Sequence, residues 1–335
     1  MRHAERAGLV AVVVPFLVAA GLGHADRGGA DVMLRFADPA IVESSGLVLT
    51  DGLVVTTNDS GDTGRVFVVD PATGRTVGTT TWSSSPVDVE ALAPAVGPRS
   101  GGEVWVGDIG DNRAARDDVT LALVPVGRST TTVGAPTYRL TYPDGPHDAE
   151  ALLVHPVTGR VYLATKGVFG GTLLAAPRRL SAERPNRLRP VGPVPGMVTD
   201  GAFLPDGRHL VLRTYTRAVV CSFPGLDPVA SFPLPDQPQG EGLAVAPDGS
   251  LWLSTEGMHT PVLRAELPAR VRAAPAGGPP ASSTTSPAAS PAPLPAGARE
   301  AQEDGGRTWA GAAVLAALAV LGSGAVLARR RRRTR

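Results

Sequence analysis

Carboxylates recur in this chain at one spacing. Asp88-x-Glu90 and Asp148-x-Glu150 each run into a short apolar segment, Ala91-Leu92-Ala93 and Ala151-Leu152-Leu153. The same place is held by Glu43-x-Ser45 before Gly46-Leu47-Val48, by Val198-x-Asp200 before Gly201-Ala202-Phe203, and by Gln239-x-Glu241 before Gly242-Leu243-Ala244. Residues two apart in an extended strand point to the same side, so each pair shares a face. Carboxylates gathered in one place cannot all ionise without compensation. A hard cation such as Ca2+, which takes about six to eight oxygens, resolves that repulsion. Capping of backbone N–H groups on a neighbouring element is the other use such residues have.

Two loops strengthen the metal reading. Asn58-Asp59-Ser60-Gly61-Asp62 and Gly107-Asp108-Ile109-Gly110-Asp111-Asn112 each place two aspartates three apart around a glycine. Glycine lets the backbone fold back so that both carboxylates reach one ion. Neither is a full EF-hand loop, and two Asx turns account for the same residues. Asp59, Asp62, Asp108 and Asp111 therefore join Glu90, Glu150 and Glu241 as candidate metal ligands. Lys166 is the only lysine in the chain. As a compact point charge it could hold a phosphate or carboxylate, with Arg113 and Arg213 as candidates for the same role, or it could pair with a ring carboxylate. There is no Gly-x-Ser-x-Gly elbow, His-Glu-x-x-His, paired Cys or phosphate loop, so no catalytic residue is assigned. His147 reads as a structural rim residue. Cys221 stands alone in the apolar run Ala218–Phe223, a small hydrophobe with no disulfide partner.

The acidic positions need a scaffold that repeats. Their inner runs start 45, 60, 50 and 41 residues apart, the range of a four-stranded propeller blade. Each is followed by a turn, such as Pro205-Asp206-Gly207 or Pro247-Asp248-Gly249, and a second apolar run. The first four units leave room for two more strands each. The fifth has only three, ending at Val262–Leu267, while Val32–Ala37 is an orphan strand ahead of the first. Pairing the two closes a ring. The expected fold is all-β: a five-bladed β-propeller of four-stranded blades closed by an N-terminal strand. Six blades stay open as the alternative if the long second or third repeat holds another. Low aromatic content with abundant Gly and Pro disfavours a helical bundle.

The two ends place the protein. Residues 1–25 read as a secretory signal peptide, with Arg2 and Arg6 before an apolar run and Gly23-His24-Ala25 as cleavage site. The propeller ectodomain is expected over 26–271, and a disordered Pro/Ala/Ser/Thr-rich stalk over 272–307. A transmembrane helix follows over 308–328, then a basic cytoplasmic tail over 329–335. Leu294–Ala298 lacks the threonine of a sortase motif, so a retained anchor is expected. The reading is a single-pass type I protein of the cell membrane with its ectodomain outside. Six arginines lie in the last seven residues. With those, Arg2, Glu5 and Arg6 set aside, 24 basic residues face 30 acidic ones. That balance argues against nucleic acid. The partner expected is an extracellular ligand or a small-molecule ester, and the chain is expected to be a monomer.

The motifs Asn58-Asp59-Ser60-Gly61, Asp88-x-Glu90-Ala91-Leu92, Gly107-Asp108-Ile109-Gly110-Asp111-Asn112, Tyr142-Pro143-Asp144-Gly145, Asp148-x-Glu150-Ala151-Leu152 and Gln239-Gly240-Glu241-Gly242 resemble the bacterial extracellular β-propellers grouped as esterase-like or phytase-like, over about residues 40–260. The resemblance implies a propeller and Ca2+-dependent hydrolysis of phosphate or acyl esters. Phytase propellers usually have six blades, from which the count of five departs. Two functions follow as expectations. One is a recognition module with an acidic, Ca2+-binding central face. The other is a Ca2+-dependent ester hydrolase in which Lys166, Arg213 and Arg113 neutralise phosphate oxygens.

Overall fold

The computed structural model describes residues 30–59, 61–82 and 85–272. The expected leader, membrane span and tail lie outside these residues, as does the stalk apart from Arg272. Among the described residues no helix is long and apolar enough to cross a membrane.

The strands form five sheets, one per sequence repeat. Strand β1 (Val32–Arg35) stands ahead of the first repeat. Blade one is β2 (Ser44–Thr50), β3 (Leu53–Asn58), β4 (Arg65–Asp70) and β5 (Arg75–Trp82). Blade two is β6 (Val89–Pro94), β7 (Glu103–Asp108), β8 (Val119–Pro125) and, after β9 (Thr130–Val133), β10 (Thr137–Thr141). Blade three is β11 (Ala149–Val154), β12 (Val161–Thr165), β13 (Gly171–Ala175) and, after β14 (Asn186–Arg187), β15 (Arg189–Val194). Blade four is β16 (Val198–Phe203), β17 (His209–Thr214), β18 (Arg217–Ser222) and β19 (Pro228–Pro233). Blade five is β20 (Gly240–Val245), β21 (Leu251–Thr255) and β22 (Pro261–Ala265).

Within each blade successive strands pair antiparallel. Strand β1 pairs antiparallel with β22, matching Leu34 to Val262 and Arg35 to Pro261, and so completes blade five. The ring therefore closes by sheet hydrogen bonds between the two ends of the domain, which leaves no long open edge there. Two blades carry a fifth strand that the repeat count did not anticipate. Strand β9, in the connection between β8 and β10, docks parallel on β5 of blade one, and β14 docks parallel on β10 of blade two. Each latches a blade to its predecessor.

The innermost strands β2, β6, β11, β16 and β20 adjoin in that order and return from β20 to β2. Five apolar clusters fill the five gaps between neighbouring blades. Val48, Val55, Leu92 and Val106 pack blade one on two; Leu47 and Val54 pack it on Ala244 and Val262 of blade five. Near the axis the strands come so close that side chains must be small. A Cβ on Gly46 would sit 2.4 Å from the backbone nitrogen of Leu92, and one on Gly242 would sit 3.1 Å from the backbone carbon of Gly46. This close approach is why blades one, two, three and five follow their polar residue with Gly or Ala. Residues 30–272 contain both partners of the closing pair and all five interfaces, so this segment has what it needs to fold without the rest.

Candidate metal centre

Each innermost strand carries a bulge at its polar position. The register with the second strand skips between Ser44 and Gly46, Val89 and Ala91, Ala149 and Ala151, and Val198 and Asp200. A bulge re-aims the side chain at that point and ends regular pairing. Blade five shows a longer break, from Gly240 to Leu243. Ser45, Glu90, Glu150, Thr199 and Glu241 are thereby equivalent. Blade four departs by one residue from the sequence alignment: Thr199 holds the ring place, and Asp200 occupies the slot that is Gly or Ala elsewhere. Two residues earlier come Glu43, Asp88, Asp148, Met197 and Gln239. In four blades the backbone oxygen at that place accepts an N–H from just past the second strand: Asp59 to Glu43, Gly110 to Asp88, Lys166 to Asp148 and Glu256 to Gln239. These bonds fold the loops over the axis and bring Asp59, Lys166 and Glu256 to the mouth of the channel.

Eight carboxylates gather there: Glu43, Asp59, Asp88, Glu90, Asp148, Glu150, Glu241 and Glu256. Asp59 acts electrostatically on Glu43, Asp88, Glu90, Glu150 and Glu256, which marks it as their hub. Carboxylate oxygens of Asp59, Asp88 and Glu90 lie within 4.8 Å of one another. The Asp88 and Glu90 oxygens also come so near Gly110 that a Cβ there would meet them at 2.5 and 2.6 Å. Glu90 is 6% exposed and Glu241 5% exposed, and among the described residues neither side chain has a hydrogen-bond partner. A buried carboxylate in that condition is costly.

The electrostatics follow from burial first and mutual repulsion second. Burial, Glu150, Asp59 and Asp88 raise the Glu90 pKa well above its ordinary value, against a pull from Lys166. Burial with Asp59 and Asp148 lifts Asp88 to about 6. Glu150 is pushed by burial to about 7 although Lys166 Nζ donates to its Oε1 at 2.7 Å. Burial with Asp59 and Glu43 takes Glu256 to about 7, and Glu241 is raised well up by burial and Glu150. Burial pulls Lys166 down, but Glu150, Tyr215 and Glu241 together hold it protonated above its usual range. Its ammonium also lies 5.5 Å from the centre of the Tyr215 ring.

The other expected site residues are engaged differently. Asp62 accepts from Asn58 Nδ2, Arg65 Nε and the Thr63 N–H. Asp108 accepts from Arg116 Nη1 at 2.8 Å, from the Val87 and Asp88 N–H groups and from Thr120 Oγ1. Asp111 receives the N–H groups of Ala115 and Arg116, while its own N–H donates to Asp148 Oδ1. These three carboxylates shape the loops, and Asp59, Asp88 and Glu90 meet inside them. Arg113 is exposed on the loop surface. Arg213 is fully buried between blades four and five, donating from Nη1 to the carbonyls of Gly242 and Ser254 and from Nη2 to Gln237 Oε1. Asp200 beside it receives the N–H groups of Gly201 and Leu243. Of the three candidate cations, only Lys166 is at the mouth.

Asp88, Arg116, Tyr215, Glu43 and Glu256 were not among the assigned site residues. Asp88 had a signal, since it shares a strand face with Glu90; the grouping with Asp59 depends on blades one and two meeting.

No protein-family model matches this chain, and no curated protein matches it. Among solved structures, the glutaminyl cyclase of Myxococcus xanthus aligns at 11% identity and TM-score 0.44, covering 70% of this chain and 95% of that one. The hydrazine synthase of Kuenenia stuttgartiensis aligns at 15% identity and TM-score 0.36, covering 70% and 60%. Likeness at this level says nothing of chemistry, and the propeller is read from the strands themselves.

Proposed function

We propose that the acidic mouth is a divalent-cation site, that the cation is Ca2+, and that the propeller is an extracellular recognition module whose binding face this ion organises. The observation that carries the reading is the meeting of Asp59, Asp88 and a buried, hydrogen-bond-free Glu90 within 4.8 Å. Oxygens opposed across Ca2+ stand about 4.6–5.2 Å apart, whereas Mg2+ draws them to about 4.2 Å and demands near-octahedral order. Three carboxylates offer up to six oxygens, and the ion relieves the repulsion that raises their pKa values.

Recognition is favoured over hydrolysis by what surrounds the cluster. Exposed apolar side chains stand on the loops around the mouth: Val87 beside Asp88, Val168 and Phe169 after Lys166, and Met258 after Glu256. Such side chains around a polar socket mark a surface that meets a partner. Ester hydrolysis would call for free cations to neutralise a phosphate, yet Lys166 is paired to Glu150 and Arg213 is enclosed between blades. The expected leader and anchor would display this face outside the cell, where Ca2+ is plentiful.

Isothermal titration of residues 30–272 with Ca2+ and with Mg2+ tests the reading. One Ca2+ per domain, lost in Asp59→Asn and Glu90→Gln, is the expected result. Absence of Ca2+ binding to the unaltered domain, or undiminished binding to both variants, overturns it. A phosphatase or esterase assay on the Ca2+-loaded domain should show no turnover; Ca2+-dependent turnover lost in Glu90→Gln would instead establish the hydrolase.

A further inference from the structure

The inner strands change character along their length. Near their starts three of them carry Glu90, Glu150 and Glu241, and the later residues of all five line a cavity of 220 Å³ on the same axis, toward the opposite end of the channel. From Glu90 to Pro94 is four residues, about 13 Å of strand. All five innermost strands contribute to the wall, and no charged or hydrogen-bonding side chain is in it.

The space has an identifiable origin. At the level where blades one and three carry Val48 and Leu153, the other three carry Ala93, Ala202 and Ala244. Three small residues on a ring of five leave a gap that larger aliphatic side chains would close. The gap is reached from outside past Pro94 and Pro205, which are exposed. An apolar cavity of about 150 Å³ stays dry and takes up benzene, while drug-sized sites begin at about 300 Å³. The cavity lies between the two.

We propose that this end of the channel is a binding site for a compact, uncharged apolar group, one or two fused aromatic rings or a branched alkyl of that size. It is independent of the cation site: different residues, opposite end, no shared charge. With no charged or hydrogen-bonding side chain in the wall, the site is selective against anions and cations, whose desolvation no side chain there offsets.

Indole is the probe, with benzoate as the charged control of similar size, in detergent-free buffer with residues 30–272. Saturation-transfer NMR should show indole bound with a sub-millimolar dissociation constant and benzoate unbound. Ala202→Leu fills the gap and should weaken indole at least tenfold while Ca2+ binding at the far end stays as in the unaltered domain. Ala93→Val, a smaller filling, should weaken it less and serves if Ala202→Leu does not fold. Xenon-pressurised crystals of the unaltered domain should show xenon on the axis, among Leu152, Ala202 and Ala244. No indole binding, equal binding to the filled variants, or xenon found elsewhere and not on the axis overturns the proposal.

Discussion

Glu90→Gln removes one charge from the centre of the cluster at nearly constant shape. At an effective dielectric of about 20, two full charges 4.8 Å apart repel by about 3.5 kcal/mol, and Glu90 has Asp59 and Asp88 within that distance. Protonation limits the cost, because burial, Glu150, Asp59 and Asp88 raise the Glu90 pKa. The sign follows. A carboxyl group whose pKa is raised by folding keeps a proton that the unfolded chain has released, so stability falls as pH rises from the unfolded value through the folded one. With Asp88 at about 6 and Glu150 and Glu256 at about 7, the metal-free domain should lose stability between about pH 4.5 and 8. Each buried group contributes at most about 1.4 kcal/mol per pH unit across its own window, and the partly exposed Asp88 and Glu256 contribute less. Removing Glu90 should therefore stabilise the metal-free domain at pH 8 by about 2–3 kcal/mol, about 5–10 °C for a domain of this size, and leave it unchanged near pH 4.5. With Ca2+ at a thousand times its dissociation constant the order reverses: the unaltered domain gains about 4.1 kcal/mol and the variant gains little. Scanning calorimetry of both proteins at the two pH values, with chelator and with Ca2+, reads all of this. A Glu90→Gln variant less stable than its parent at pH 8 without metal would refute the repulsion argument.

Three further outcomes are expected. Lys166→Met strands Glu150, whose side chain is 4% exposed; urea unfolding should show a loss of about 3–5 kcal/mol at pH 8 that shrinks toward pH 5 as Glu150 takes up a proton, and an equal loss at both would contradict the pairing. Arg213→Met leaves the Gly242 and Ser254 carbonyls without their donor; a loss of about 3–5 kcal/mol with unchanged Ca2+ affinity in titration would place it as the lock between blades four and five. Deleting residues 30–36 removes β1 with the buried Leu34 and Phe36 and opens the β22 edge; a lowered melting temperature and concentration-dependent association in size-exclusion chromatography should follow.

The five blades were legible because the axis imposes a local rule. Where Gly46 meets the Leu92 backbone, only a small residue fits, and that requirement writes the same polar–small–apolar signature into four of the five repeats. The closing strand was legible by subtraction, since blade five lacks a fourth strand of its own. Blade four was misaligned by one residue because Asp200-Gly201 copies the look of Glu241-Gly242. Its true register is set by Arg213 and the Leu243 N–H, both distant in sequence. Strands β9 and β14 left no repeat signal: both are short, and β9 is three threonines and a valine, Thr130–Val133, ordered by parallel pairing to another blade. At the mouth, the acidic positions were readable from spacing, but their division of labour was not. Asp111 is held by backbone N–H groups a few residues on and Asp108 by Arg116 and the Val87 and Asp88 N–H groups, whereas Asp59 and Asp88 meet only because blades one and two are neighbours.

Anomalous diffraction from crystals of residues 30–272 grown with Ca2+ tests the central claim directly. One peak about 2.3–2.6 Å from oxygens of Asp59, Asp88 and Glu90 is the expected result. Crystals saturated with Ca2+ that show no peak there, with the three carboxylates hydrogen-bonded to one another through retained protons, would contradict it.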